Sequence, residues 1–495
     1  MNVKIGKRGG RGVTVETVWF WSVAGFFAAV WVLLPTLLHT GYCGDVLEMQ
    51  SIAPQWVWAA KNHPALPSWI LEILNIITCR SFAVPFIATQ LCTLLALWSV
   101  WKLARTVLED RLALIATFSV LPYLFFACKP VWFNHNNALI AFWALSIYLV
   151  FQAFQTNQKR YWISAGIALG LAFHAKYPAM LLVISILTYM FMRENGRKHF
   201  KTPGPYITTL IAFLIFLPHI VWLVYHDFPT ITHAITKHPM PRWLAPLFFI
   251  GGQLLYLALP FVLLTPVLGF VWQWKVQYHE QDKARECEKF LFYCFIIPMV
   301  FYTLYGGIMG VEVLMEYGAP LWVFIGLWLL LRFQHATKET YQGFRQVVVL
   351  STTIMLLIAA GFTTLAYLGQ DHPKHYFPMR ELGTACEQLW DQRFPATHCP
   401  YIAGRFLLCG HAAHAMSVRP SVILPQGTWA TDDDLYQKGG IILWDATEQT
   451  VPDWVHHRFP GAEVLPKILE LPYKTSAKIP PLRIGIAIVP PPEIP

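Results

Sequence analysis

Charge is what this chain has least of. Asp, Glu, Lys and Arg make up 13% of its 495 residues, where a soluble domain carries about a quarter. That shortage, beside so much apolar sequence, excludes a disordered chain and an ordinary cytosolic enzyme. The nine cysteines never fall as Cys-x-x-Cys or at zinc-ligand spacing, which excludes a disulfide mini-scaffold and offers no metal module. No Gly-Lys-Ser/Thr follows a strand, so Gly6-Lys7-Arg8-Gly9-Gly10-Arg11-Gly12 is no phosphate loop; it reads as a basic tail that meets anionic lipid. There is no repeat at a fixed period, and there are no inverted halves of the kind many transporters show. What fills the chain is apolar: 56% hydrophobic and 15% aromatic, with 21 Trp, at a mean hydropathy of +0.45. This is the composition of a polytopic α-helical membrane protein. The net charge of +9 then serves topology, and nucleic acid is not expected as a partner.

A helix that crosses the hydrocarbon needs about 20 predominantly apolar residues. Eleven segments qualify: 15–38, 82–104, 112–128, 137–155, 161–175, 177–192, 205–225, 244–272, 289–306, 318–333 and 346–369. The pair 161–175 and 177–192 can also be read as one helix broken at Tyr177-Pro178, since proline has no N–H and clashes with the preceding turn. Basic residues discriminate between the two readings. With eleven spans and the N-terminus inside, the inner segments hold 20 Lys and Arg and the outer loops 6, as the positive-inside rule asks. Merging the pair would put the clusters at 193–201 and 275–289 outside. The expected arrangement is therefore a cytoplasmic N-terminus, an uncleaved signal anchor, a long first outer loop at 39–81, and a C-terminus outside the cytoplasm.

Residues 1–370 thus form the expected membrane bundle, and 371–495 a different kind of chain. Short runs alternate there: helix-like Arg380–Arg393, strand-like Tyr401–Ala403, helix-like Arg405–Met416, strand-like Ser421–Leu424, helix-like Asp432–Gln437, then strand-like Ile441–Trp444 and Leu482–Val489. The pattern predicts a small extracytoplasmic α/β domain. Cys43, Cys386, Cys399 and Cys409 fall on the outer side, where a Cys386–Cys399 bridge is permitted, although free buried thiols are the commoner state. The six histidines at 372, 375, 411, 414, 456 and 457 show no metal spacing, and His411 and His414 read as surface residues.

Ionisable groups near membrane depth are expensive and mark candidate function. The first outer loop is far longer than a connector needs, and two acids, Asp45 and Glu48, stand just beyond the first span. On a helix their spacing of three puts both on one face. A carboxylate in a partly desolvated cleft there can take a proton from an incoming hydroxyl or amine. The plainer alternative is that both acids cap or solvate a loop.

Several further stretches follow in order. Eighteen residues after Asp45 comes His63-Pro64-Ala65-Leu66-Pro67-Ser68-Trp69, and then Phe133-Asn134-His135-Asn136-Asn137-Ala138-Leu139 with Trp143. Gly166, Gly170-Leu171-Ala172 and Ala175-Lys176-Tyr177 precede Pro218-His219 with Trp222, Asp227-Phe228 and Ala319-Pro320-Leu321-Trp322. The tail adds Ile402-Ala403-Gly404, Arg419-Pro420 and Gly439-Gly440-Ile441-Ile442. In this joint order, over roughly residues 15–450, the chain resembles the bacterial membrane glycosyltransferases of the GT-C class, similar to dolichyl-phosphate-mannose protein mannosyltransferases and to the lipid A aminoarabinose transferase.

The resemblance implies an enzyme of the bacterial inner membrane. It would move a hexosyl or pentosyl group from a polyprenyl-phosphate donor to an extracytoplasmic acceptor, a lipid such as lipid A, another glycan or a protein, usually with inversion. The family's general base falls on Asp45, with Glu48 as its partner. His63 matches a lysine of the aminoarabinose transferases, and with Lys176 and His219 it is the expected ligand of the donor phosphate, in the order Lys176, His63, His219. Asn136 and Lys61 are expected to line the acceptor side. Three departures stand out. The acid that commonly follows the first aspartate is Val46, a second acidic position aligns with Asn136, and the residue after the first proline is Ala65. No cofactor is called for. A divalent cation stays open, with Asp45, Glu48 and Asn136 a sparse oxygen set for a hard ion. Two other readings stay open as well: a transporter or lipid-linked-sugar flippase, which would show repeated halves and midplane charges, and a non-catalytic relative.

Overall fold

The computed structural model describes residues 14–60, 63–230, 238–268, 282–333, 340–369, 373–424, 427, 429–447, 451–475 and 479–492. Lys61 and the basic N-terminal tail lie outside the described residues. In chain order the helices are α1 (Val15–Leu38), α2 (Gly44–Ile52), α3 (Leu66–Ile77), α4 (Val84–Val107), α5 (Asp110–Phe118), α6 (Leu121–Cys128), α7 (His135–Thr156), α8 (Lys159–Ala175), α9 (Ala179–Met192) and α10 (Glu194–Arg197). They continue as α11 (Gly204–Tyr225), α12 (Leu244–Leu268), α13 (Asp282–Met309), a 3-10 segment at Met315–Phe324, α14 (Ile325–Arg332) and α15 (Thr340–Tyr367).

All eleven apolar segments of the sequence are largely helical, but only seven helices among the described residues are both long and apolar enough to cross a bilayer. Each of the other four is short or interrupted, and proline accounts for part of this. Pro122 has no N–H to offer the carbonyl of Phe118, so segment 112–128 divides into α5 and α6. Pro178 has no N–H to offer the carbonyl of His174, and the chain is extended at Lys176, which separates α8 from α9. Segment 318–333 begins as the 3-10 stretch around Pro320 and turns α-helical only at Ile325.

Side-chain contacts sort the helix ends into two groups. At one end Phe20 stacks on Trp101 with centroids 4.4 Å apart, Thr208 donates to the Trp162 carbonyl, and Tyr189 donates to Glu286, which also pairs with Lys289. At the other end Lys129 pairs with Glu316, the Met240 N–H bonds Gly310, and the Thr40 and Gly41 N–H groups donate to the His375 carbonyl at 2.7 and 3.0 Å. The C-terminal region meets the end that holds the first loop.

Gly41 makes that meeting close. A Cβ there would lie 2.6 Å from both the Lys374 carbonyl oxygen and the Phe377 Cβ. Gly41→Ala is expected to force these segments apart and cost about 1–3 kcal/mol, in the manner of an overpacked core. A thermal unfolding midpoint equal to that of the parent chain would contradict this.

The C-terminal region contains helices α16 (Met379–Arg393), α17 (Phe406–Ala415), α18 (Asp432–Lys438) and α19 (Asp453–Arg458). Its strands are β1 (Tyr401–Gly404), β2 (Ser421–Ile423), β3 (Gly440–Asp445), β4 (Glu463–Val464), β5 (Leu469–Leu471) and β6 (Leu482–Val489). They form one mixed sheet of order β2-β1-β3-β6-β4, with β5 also on β6. β2 and β3 run parallel to β1, and β6 runs antiparallel to β3. The seven runs read from the sequence are all present; α19, β4 and β5 were too short and polar to announce themselves. Alternation along the strands gives two apolar faces. Ala403, Ile442, Trp444 and Ala487 pack with Leu435, Val455 and Phe459. The opposite face, with Ile402, Ile441, Leu443 and Ile486, packs with Leu408 and Ala412, and this cluster continues into Tyr42, Val46, Leu47, Phe86 and Phe133. One apolar core thus joins the sheet to the first loop.

His411 corrects the sequence reading, because it is not a surface residue, and His414 is half-buried. His411 is fully buried; its Nε2 accepts the Tyr42 N–H at 3.1 Å, its Nδ1 donates to the Leu407 carbonyl at 2.7 Å, and its ring stacks on Phe377. Burial holds His411 down to about 4. Burial, with Arg419 nearby, holds His414 down to about 3. Both are neutral in the fold, so the unfolded chain, whose imidazoles titrate near 6.5, binds protons the folded chain cannot. Their contribution is complete above pH 6.5 and is lost as pH falls toward 4, about 3 kcal/mol for His411 alone. The unfolding midpoint should fall over that window, and His411→Gln should flatten the slope. Cys43, Cys386, Cys399 and Cys409 are free and buried, and burial pushes the Cys43 and Cys386 thiols up to about 12, which leaves them inert.

Candidate active site

The first loop is helical where its acids lie. α2 starts at Gly44, placing Asp45 in its first turn, where the helix dipole favours a carboxylate. Asp45 is exposed, and Glu48, one turn on, is half-buried.

Opposite stands the start of α7. Asn134 caps it: its Oδ1 accepts the Asn136 N–H at 2.9 Å, and the Asn137 Oδ1 accepts the Asn134 N–H at 2.8 Å. This reciprocal box fixes the asparagine-rich stretch in place. With its oxygen committed to the cap, the Asn134 amide has its nitrogen left over, and Nδ2 donates to Asp45 Oδ2 at 3.2 Å. Asn136, on the same turn, accepts from Lys176 Nζ at 2.8 Å.

Lys176 reaches this point because α8 ends there. Its backbone is extended at the C-cap, ahead of the proline that starts α9. The ammonium also lies 4.6 Å from the centre of the Tyr317 ring, a favourable site for a cation. Asp45, Asn134, Asn136, Lys176 and Tyr317 thus form one connected polar track drawn from four parts of the chain.

His63 lies beside the track, its ring centroid 4.3 Å from that of His135. It sits in a tight loop closed by the Ala59–Pro64 bridge and by the Ala65 N–H on the Trp58 carbonyl. His219 is placed differently from the expectation. It is fully buried, Nδ1 donates to the Trp58 carbonyl at 3.2 Å, and Nε2 accepts from Tyr177 Oη at 2.8 Å. With both nitrogens engaged it offers no donor to an anion. Instead it holds the loop carrying His63 against Tyr177, which is also hydrogen-bonded to Thr230.

Sequence reading missed Asn134 and His135, quoted as part of a motif but given no role, although the cap pattern Asn134-x-x-Asn137 was there to be read. Tyr317 and Glu316 carried no signal; only folding brings them to Lys176 and Lys129. Among the described residues no group of three or more His, Cys, Asp or Glu side chains comes together. The Asn136 side-chain oxygen is engaged by Lys176.

An apolar cleft of about 270 Å³ opens between α12, α13 and α14, lined by Leu257, Phe261, Phe292, Phe295, Trp322 and Ile325 among others. Trp322 and Tyr317 lie five residues apart on the same 3-10 segment, so cleft and track are separated by roughly 10 Å along it.

The fold is the one seen in a solved ArnT structure, and one stretch of the chain matches a known family. The crystal structure of apo ArnT from Cupriavidus metallidurans superposes with a TM-score of 0.59, covering 96% of this chain and 99% of that one at 12% identity. Residues 62–222 match the model of the dolichyl-phosphate-mannose-protein mannosyltransferase family, and this stretch contains His63, Asn134, Asn136, Lys176 and His219. Two structures of the oligosaccharyltransferase from Archaeoglobus fulgidus are also similar. One, the AglB complex with an inhibitory peptide and a dolichol-phosphate, gives a TM-score of 0.42 at 14% identity over 83% of this chain and 65% of that one. The other, tethered to an acceptor peptide, gives 0.45 at 14% identity over 86% and 69%. No curated protein sequence matches the chain.

Proposed function

We propose that this protein transfers a sugar from a polyprenyl-phosphate carrier to an acceptor outside the cytoplasm. The observation that carries the reading is the polar track itself: a carboxylate at one end, a lysine at the other, and an apolar cleft about 10 Å beyond. The donor phosphate sits at Lys176, with His63 beside it, and the isoprenoid runs into the cleft below Tyr317. The acceptor hydroxyl or amine approaches Asp45. Its heteroatom forms the new bond to the anomeric carbon as the bond from that carbon to the lipid phosphate oxygen breaks. The electron pair leaves with the phosphate, and the acceptor proton passes to Asp45. Lys176 meets the charge that develops on the leaving group, where low dielectric makes a fixed cation most effective. His219 positions the His63 loop from behind, and Asn136 aims Lys176.

The distribution of basic residues supports eleven crossings of the bacterial inner membrane, with the N-terminus in the cytoplasm and residues 371–495 as a periplasmic α/β unit over the site. The purified chain, given a polyprenyl-phosphate sugar and envelope lipids, glycans or proteins, should release polyprenyl phosphate with a glycosylated product. Surface glycans and lipid A compared with and without the gene identify the acceptor. Identical envelopes, together with no carrier turnover, would refute the reading.

A further inference from the structure

Arg419 lies far in sequence from the polar track and takes no part in it, yet it is among the most deeply engaged cations of the C-terminal region. Arg419 Nη1 lies 2.9 Å from both oxygens of Glu72 on α3, and Nη2 reaches the Gln50 carbonyl on α2 at 3.4 Å. Asn75 Nδ2 closes the group, donating to the Gln50 side chain at 2.8 Å and to Glu72 at 3.3 Å. The charged pair is nearly enclosed, with side chains 12% and 9% exposed. Arg419 itself adopts a left-handed backbone, φ 50°, directly before Pro420. Such a conformation persists only where its surroundings over-determine it.

A buried ion pair is poor value as a source of stability, because desolvation cancels most of the attraction; its best-attested use is to fix a register. Here the register is that of α2. Gln50 lies five residues after Asp45, about 7.5 Å along the same helix. Asp45 in turn meets Asn134 through a single hydrogen bond. We infer that Arg419, acting through Glu72, Asn75 and Gln50, is a positioning residue that holds α2 so that Asp45 faces the start of α7. The inference rests on the proposed function only in making Asp45 the base; the mechanical link stands apart from it.

The test uses the full chain in lipid nanodiscs and two readouts, amide hydrogen exchange over residues 44–52 and transfer from a polyprenyl-phosphate sugar. Arg419→Gln should raise exchange over 44–52 by more than about tenfold while residues 135–156 keep theirs. It should also lower kcat by about 10²-fold, the cost of a 1 Å misplacement, with the KM for donor nearly unchanged. Arg419→Lys should restore part of both, and it serves as the comparison if Arg419→Gln does not fold. Unchanged exchange over 44–52, or a rise spread evenly over the chain, overturns the inference whatever the activity. If the parent chain transfers no sugar but exchange over 44–52 rises selectively, the positioning role holds and the proposed function is what fails.

Discussion

Asp45→Asn is expected to lower sugar transfer by about 10²–10⁴-fold, the contribution of a positioned general base, without disturbing the fold. The substitution preserves shape and hydrogen bonding. An asparagine oxygen can still accept from Asn134 Nδ2, and the side chain is exposed in the first turn of α2, so nothing buried loses a partner. What disappears is the capacity to hold the acceptor's proton. Two neighbours bracket the result. Asn134→Ala removes both the hydrogen bond to Asp45 and the cap of α7, so it should cost activity together with about 1 kcal/mol of stability. Glu48→Gln should cost far less, since Glu48 is half-buried behind the exposed aspartate. Transfer by Asp45→Asn at the parental rate, in a chain of parental melting temperature, would remove the base from the mechanism.

Much of this architecture is legible in the sequence because membranes impose blunt rules. Eleven apolar runs are visible as such, and each is helical. Counting crossings is harder, because a proline such as Pro122 or Pro178 leaves the hydropathy of a run almost unchanged while breaking its helix. The C-terminal strands are legible for the opposite reason. β3 and β6 are buried runs of Ile, Leu and Val bounded by turn residues, whereas two-residue β4 offers no period to read. Within the site, Asp45 and Lys176 stand out by residue type at a span end, and Asn136 only by its place in the resemblance. Their linkage through Asn134 does not, because it depends on which end of one amide the helix cap consumes. His219 misled because a histidine inside a span looks available until both of its nitrogens are seen to be engaged. His411 misled in the same way: the apolar surface that buries it comes from residues around Tyr42, more than 300 positions earlier.

Lys176→Met should be the second severe lesion, lowering kcat/KM by about 10²–10³-fold, as loss of a donor to developing anionic charge does elsewhere. Methionine keeps a flexible apolar stem against Tyr317, so the main change is the missing ammonium. Arginine is no simple rescue: its planar fork would have to fit between Asn136 and Tyr317, where a compact point charge now sits 2.8 Å from one and 4.6 Å from the centre of the other. Asn136→Ala should fall between the two, since it leaves the charge in place and removes its aim. The competing view of Lys176 is an ordinary lysine snorkelling to the interface. That view predicts less inserted or less stable protein, with unchanged turnover per folded molecule. Normalising transfer to correctly folded protein therefore separates them. A normalised rate within about threefold of the parent, under half a pK unit's worth of free energy, would assign Lys176 to the bilayer and leave the donor phosphate without its principal cation.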